Sequence, residues 1–465
     1  MENRRKEFEA FVEKIMESYD AAGMAVSVFD RESTLYENFF GYRDADRKLP
    51  LNEDTIFGMA SVSKSFTALA IMQMEEKGLL STEDAVHAYI PEFEDPRVTI
   101  THLLTHSAGY FPLKRILVKD VAEELGIYEG GNRELGYDGK LAARGLELVC
   151  QRLNSQKVRL CEPGQYMSYS NDCYGILSEM IHRFGGEASY GEYIKKHIFE
   201  PMGMERSFCE FIRPSRDENG TELYIHRNGV REHGRDFYDN AFVLMGGGAV
   251  KSTVCDMKKY VRMYMGEGRI PSGDVLVGRG KILKMCMPRR EYHYGQWYGY
   301  GLAQKRIGGL TIWGHGGSLT GISNYMAWEP RLCLGVLVFC NTTRIPVSHV
   351  ADMAFRWITG MGLEEEPFLP TVPWSRELQK KAEGLYESGE GVQVRLTVKD
   401  EGIYMEAGGQ PVPCRMILPG ILETSAPLVT DDLILMENDA KEVFGVRFRG
   451  RILPRAENGT EYISI

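Results

Sequence analysis

Phe57-Gly58-Met59-Ala60-Ser61-Val62-Ser63-Lys64-Ser65-Phe66-Thr67-Ala68 decides how the rest of this chain is read. A serine hydroxyl is a poor nucleophile until a base takes its proton. A lysine three residues later on a helix lies on the same face, one turn away. If Ser61 opens that helix, unpaired backbone N–H groups and the positive end of the helix dipole surround it. The composition predicts a helix from Ser63 to Lys77, rich in Ala, Leu, Met and Glu and ending at Gly78. It is apolar almost all round, so it belongs in the core. Ser-x-x-Lys also describes a solvated serine and lysine on many ordinary helices, so the remainder of the chain has to supply the context.

Two further elements follow in order. Tyr169-Ser170-Asn171 comes after the turn Glu162-Pro163-Gly164. In an extended segment residues i and i+2 point the same way, so Tyr169 and Asn171 can reach one cavity. His315-Gly316-Gly317-Ser318 continues the strand-like Leu310-Thr311-Ile312-Trp313. Two glycines there would let a substrate lie against the strand. With the flanking Ile100 to Gly109, Pro201 to Met204, Gly246 to Ala249 and Tyr298 to Leu302, these motifs resemble the serine β-lactamase and penicillin-binding-protein superfamily. Its signature is Ser-x-x-Lys, then Ser-Asp-Asn, then Lys-Thr-Gly. This chain has Tyr-Ser-Asn second, as in class C β-lactamases and their peptidase and esterase relatives, and His-Gly-Gly third. The resemblance runs from about residue 5 to about residue 360.

The resemblance implies roles. Ser61 is the expected nucleophile and Lys64 its proton acceptor. Tyr169 is expected to relay protons to the leaving group, its pKa lowered by cations such as Lys64. Asn171 would orient Lys64 or a substrate carbonyl. The N–H groups of Ser61 and Ser318 would form the oxyanion hole, with Gly316 and Gly317 on the substrate-facing edge. His315 replaces the family lysine and is expected to titrate near neutrality and read substrate charge. The implied function is a serine hydrolase that forms an acyl-enzyme on a small amide or peptide, by first choice one with a D-configured residue, or on an ester. Carboxylesterase and weak β-lactamase activity are the alternatives. A non-catalytic penicillin-binding or ligand-sensing protein is the reading from another class. No cofactor and no metal is expected.

Composition bounds this reading. The chain has 465 residues, 43% hydrophobic and 26% charged, with a formal net charge of -10. No basic surface for nucleic acid is expected, and no apolar run is long enough to span a bilayer. The basic residues Arg4-Arg5-Lys6 are not followed by an apolar signal region, so a cytoplasmic protein is expected, unless an export signal has been removed. Nine cysteines without a Cys-x-x-Cys read as reduced thiols. The expected partner is a small-molecule or short-peptide substrate, with oligomeric state open.

The fold class expected is α/β (α+β): an antiparallel sheet flanked by helices, with an inserted helical subdomain and a small C-terminal antiparallel β-domain. Residues 1–363 would form the hydrolase domain, 364–375 a Glu- and Pro-rich linker, and 376–465 a sandwich or barrel. Met24–Phe29 and Ser33–Tyr36 read as a hairpin. Tyr300–Leu302, Leu310–Trp313, Asn324–Trp328 and Leu334–Phe339 read as strands, and Val350–Met361 as a closing helix. Residues 111–145, with Gly126, Gly130, Gly131, Gly136 and Gly139, read as a loop bordering the site. Lys251-Ser252-Thr253 imitates a Lys-Thr-Gly element, but capping of the next helix explains it better. His102 and His106 have zinc-motif spacing without its glutamate, which favours a structural pair. His226 and His233 are in a polar stretch that could line the cleft.

Overall fold

The computed structural model describes residues 2–456 apart from 128–138, 212–213, 235–241, 365–368, 400–401, 425–430 and 439. Its largest element is a nine-stranded antiparallel sheet. The order runs from Leu49–Pro50 through Thr34–Asp44, Gly23–Phe29, Leu334–Cys340, Ile322–Glu329, Leu310–Leu319, Ala303–Ile307 and Gln296–Tyr298 to Arg290–His293. The expected N-terminal hairpin forms, and Asp30 closes its turn by accepting from the N–H groups of Glu32 and Ser33. It then pairs with a strand from the far end of the sequence, Val26 opposite Val338.

The three central strands, Gly23–Phe29, Ile322–Glu329 and Leu334–Cys340, are buried at every position. Such strands need cover on both faces. Helices Glu2–Ser18 and Val347–Ile358 cover one face, with Phe8 stacked on Trp357 at 5.2 Å. Helices Ser63–Glu76 and Val254–Met265 cover the other, with Phe66 stacked on Tyr260 at 3.8 Å. Thr253 caps the second of these by accepting from Asp256 N–H, so Lys251-Ser252-Thr253 is a helix start.

Among the described residues, no strand of the large sheet comes from the interval between those two helices. Helices Ile100–Leu104, Val118–Glu124, Gly139–Asn154, Asn171–Phe184 and Tyr190–Ile194 fill it. Residues 111–145 therefore depart from the expected loop, although 128–138 lie outside the described residues. Val118, Val121 and Ala122 bury one helical face. Gly145 lies inside a helix because a Cβ there would meet Val243 at 2.7 Å. Tyr300–Leu302 is also not a strand. It links Gln296–Tyr298 to Ala303–Ile307, and Gly301 takes φ +67° where its backbone meets that of Lys64.

Eight strands from Gly384–Glu387 to Arg451–Pro454 follow one another in a second antiparallel sheet. Tyr386 pairs with Arg455, and Ala456 N–H donates to the Leu385 carbonyl at 2.7 Å. The first strand thus meets the end of the last, and the sheet closes as a barrel rather than a sandwich. Val394, Leu396, Ile403, Met405, Leu422 and Phe448 fill it. The expected linker, 364–375, falls between the helix ending at Ile358 and the one starting at Arg376, with 365–368 outside the described residues.

The barrel sits directly on the first unit. Leu160 packs with Met436 and Ile452. Arg447 donates to the Glu291 carbonyl at 2.8 Å and to its carboxylate at 2.9 Å. Asp432 accepts from Tyr294 N–H at 2.7 Å and pairs with His293.

Candidate active site

Ser61 is presented by a strained turn. Strand Phe57–Gly58 leads into a 3-10 turn, Ala60–Val62, and then the helix from Ser63. Ala60 is fully buried and takes φ +47°. A non-glycine residue held in that region costs about 1–3 kcal/mol and persists only where its surroundings over-determine it. Met59 N–H donates to the Val250 carbonyl at 2.8 Å, and Val250 N–H donates to Ser63 Oγ at 3.0 Å. Asn324 Nδ2 donates to the Gly58 carbonyl. Gly317 lies so close that a Cβ would sit 2.2 Å from the Met59 carbonyl oxygen. The strand Leu310–Leu319 therefore needs glycine there to reach the turn. Its neighbour Ala303–Ile307 pairs only with residues 310–314. Residues 315–319 extend past that partner and present an open edge beside Ser61.

Lys64 is fully buried one turn below Ser61. Its Nζ lies 3.2 Å from Ser61 Oγ, 2.8 Å from Asn171 Oδ1 and 2.8 Å from the Gly247 carbonyl oxygen. Burial above all, and then the Arg451 cation, bring its pKa down to about 7, against the pull of Glu390 and Asp172. A neutral amine has two protons and one lone pair. Here the two protons go to Asn171 and Gly247, and the lone pair is left for the Ser61 hydroxyl.

Tyr169 and Asn171 come together by a different route from the expected extended segment. Ser170 caps the helix Asn171–Phe184, accepting from Cys173 N–H. Tyr169 lies just before the cap and Asn171 is the first helical residue. The Tyr169 ring is 4.8 Å from Lys64 Nζ and hydrogen-bonds Ser61. Its pKa is raised, not lowered as expected: burial outweighs the opposing effects of Ser61 and Arg451. Tyr169 is a protonated phenol, a donor.

His315 also departs from expectation. Its Nδ1–H donates to the Gly316 carbonyl at 2.6 Å, which leaves Nε2 to accept from Tyr298 O–H at 2.9 Å. Tyr298 in turn accepts from His106 Nε2–H at 3.3 Å, while His106 Nδ1 accepts from Ser170 N–H at 3.1 Å. The tautomers follow from the carbonyl at one end and the amide at the other. Burial, and then Lys64, push His315 down to about 3, and burial holds His106 well below its ordinary value. Both rings are neutral near pH 7, so His315 carries no charge with which to read a substrate. The two expected pair members separate in role: His106 backs the site, whereas His102 Nδ1 accepts from Thr99 N–H at its own helix start. His226 and His233 lie on a hairpin against Asp20 and Asp46 and do not line the cleft. Among the described residues no group of three or more His, Cys, Asp or Glu could hold a metal ion, and no helix is long and apolar enough to cross a membrane.

This geometry can be set beside known proteins. A family profile described as "Beta-lactamase" matches residues 8–360. The chain belongs to the β-lactamase family. It is similar to penicillin-binding protein 4* of Bacillus subtilis, 28% identical over 270 residues, 56% of this chain and 55% of that protein. It is similar to a D-aminopeptidase of Brucella anthropi, 27% identical over 319 residues, 67% of this chain and 55% of that protein. The chain thus spans about half the length of these curated relatives. Among solved structures it resembles the octameric penicillin-binding protein homologue from Pyrococcus abyssi, with TM-score 0.67 and 27% identity over 96% of this chain and 99% of that one. That likeness covers the barrel as well as the β-lactamase region.

Two charged residues at the site come from the barrel, and sequence reasoning missed both. Asn171 Nδ2 donates to Glu390 Oε1 at 2.9 Å, and Arg451 Nε donates to Glu390 Oε2 at 2.6 Å. The Arg451 guanidinium lies 4.8 Å from the Tyr169 ring centre. Tyr169 N–H donates to the Gly450 carbonyl at 2.8 Å, and Ile452 N–H donates to Ser168 Oγ at 3.2 Å. Nothing local marks Glu390 or Arg451 as functional, because contacts across more than 200 residues leave no spacing to read.

Proposed function

We propose that this chain is a serine hydrolase that works through an acyl-enzyme at Ser61. Its substrate is a small amide or peptide with a D-configured residue, or the corresponding ester. The observation that carries the proposal is the Lys64 amine: buried, near pKa 7, with both protons committed and its lone pair facing Ser61 Oγ at 3.2 Å. Lys64 takes the Ser61 proton as Oγ attacks the substrate carbonyl. The developing oxyanion sits between the Ser61 N–H and the open strand edge at Ser318. Tyr169 gives its proton to the leaving group, and Lys64 restores it. A water then attacks the ester, its proton returning by the same groups. Two relatives named D-aminopeptidases, 27% and 25% identical, support the choice of a D-configured residue. The neutral His315 supports peptide or ester turnover over β-lactam turnover, since no permanent cation occupies that motif.

The test is a panel of D-aminoacyl anilides, their L-isomers, p-nitrophenyl esters and a chromogenic cephalosporin, run with wild type and Ser61→Ala. The expected result is D-anilide or ester turnover that disappears in Ser61→Ala. Efficient cephalosporin hydrolysis with no D-preference would replace this reading with a β-lactamase. Labelling by a fluorescent penicillin with no turnover of any substrate would replace it with a binding protein.

A further inference from the structure

The neutral His315 leaves the third motif without charge, yet a fixed cation does stand at the site. It is Arg451, from the last strand of the barrel. The Tyr169 ring has two basic groups against it, Lys64 Nζ and the Arg451 guanidinium each 4.8 Å from its centre. Arg451 commits only Nε to Glu390. Its two η-nitrogens have no hydrogen-bond partner among the described residues. The pair is neutral in sum but lopsided in access: the Arg451 side chain is 20% exposed and that of Glu390 is 3% exposed. Arg451 is thus the more accessible member of the pair. Glu390 is in turn fixed by Asn171 Nδ2, so the fork is held from the same residue that holds Lys64.

We propose that Arg451 binds a carboxylate on the leaving group of the substrate, with Glu390 as the residue that positions it. This rests on the Ser61 acyl-enzyme reading above. The leaving-group side is assigned because the guanidinium sits over Tyr169, the phenol that protonates the departing atom. The open edge at 315–319 offers a neutral histidine and backbone instead. A planar fork with two free N–H pairs matches a carboxylate in a bidentate manner, and a guanidinium stays charged throughout the working pH range. The substrate class is therefore a peptide, depsipeptide or thioester whose departing residue ends in a free carboxylate.

The experiment uses matched thioesters of one N-acyl-D-amino acid, one releasing thioglycolate and one releasing its amide, thioglycolamide. The ratio of kcat/KM for the pair is measured in wild type, Arg451→Met, Arg451→Lys and the double variant Arg451→Met/Glu390→Met, which leaves no unpaired buried carboxylate. Wild type should prefer the carboxylate. Arg451→Met should reduce the ratio about 10- to 100-fold, the span of a hydrogen bond to a charged group, mainly through KM. Arg451→Lys should recover part of it. In the unaltered protein, a free D-amino acid should inhibit more strongly than its amide, which holds whether or not the variants fold. A wild-type ratio at or below one, equal inhibition by acid and amide, or a ratio that ignores replacement of Arg451 would overturn the proposal. Labelling of Ser61 by a neutral fluorophosphonate separates the two readings. If the label fails, both fall; if it succeeds while the ratio ignores Arg451, only this one does.

Discussion

Lys64, with its pKa near 7, ties a single residue to a measurable pH profile. The amine accepts the Ser61 proton only when deprotonated, so kcat/KM for a neutral substrate should rise with pH through about 7. Removing the Arg451 cation, one of the causes holding Lys64 down, should move that limb to higher pH in Arg451→Met. Asp172, pushed up to about 7 by burial and by Glu390, titrates in the same window. Asp172→Asn tests which group sets the limb: because Asp172 helps hold the Lys64 pKa up, the limb should persist and move to lower pH, and a limb that vanishes would assign it to Asp172. At His315 the account predicts the absence of a signal. Preference between a carboxylate-bearing and a neutral substrate should stay flat between about pH 5.5 and about pH 8.5, because the ring is already neutral. A preference that grows toward acid with a midpoint near 6.5 would show an exposed, titrating histidine instead. The residue types at Ser61, Lys64, Tyr169 and Asn171 were legible because their motifs are local. Their protonation states were not. Burial sets them, and burial of Tyr169 and His315 comes from Arg451, Tyr298 and His106, which are distant in sequence.

At the scale of elements, the site depends on close backbone approaches that only glycine permits. Gly301 combines both demands on glycine, with φ +67° and a hypothetical Cβ 2.7 Å from the Lys64 carbonyl oxygen. Gly301→Ala should destabilise the fold by about 1–3 kcal/mol through backbone strain alone. It should also lower kcat more than a distant substitution of equal stability cost. Thermal unfolding and kinetics on the same samples check this, and unchanged stability would mean the turn can relax away from the helix. Short alternating runs and long amphipathic helices were readable because period 2 and period 3.6 survive in the residues themselves. The failures have the same origin. Gly126, just past the helix Val118–Glu124, and Gly139, at the start of the next helix, hid the helix period beside them, and Gly145 was a packing glycine against Val243 rather than a loop residue. Tyr300-Gly301-Leu302 looked like a strand because apolar residues flank a glycine, but that glycine serves a positive φ.

At the scale of the whole molecule, the barrel is part of the site. Composition and the Pro-rich stretch at 364–373 separate the two units along the chain, but nothing in either one announces that Glu390 and Arg451 reach Asn171 and Tyr169. If a protease site is placed within 364–373 and cut, the two pieces should stay together on size exclusion and unfold in one transition. They are joined by the Leu160, Met436 and Ile452 cluster, the Arg447–Glu291 pair and the Gly450–Tyr169 hydrogen bond. A barrel that elutes separately while the remainder keeps full activity would contradict that arrangement. The most direct measurement is intact-mass and peptide mapping of the protein quenched during turnover of a D-aminoacyl ester. A single acyl adduct on the peptide that contains Ser61, absent from Ser61→Ala, is the predicted result. Undiminished turnover in Ser61→Ala, or an adduct confined to another residue, would contradict it.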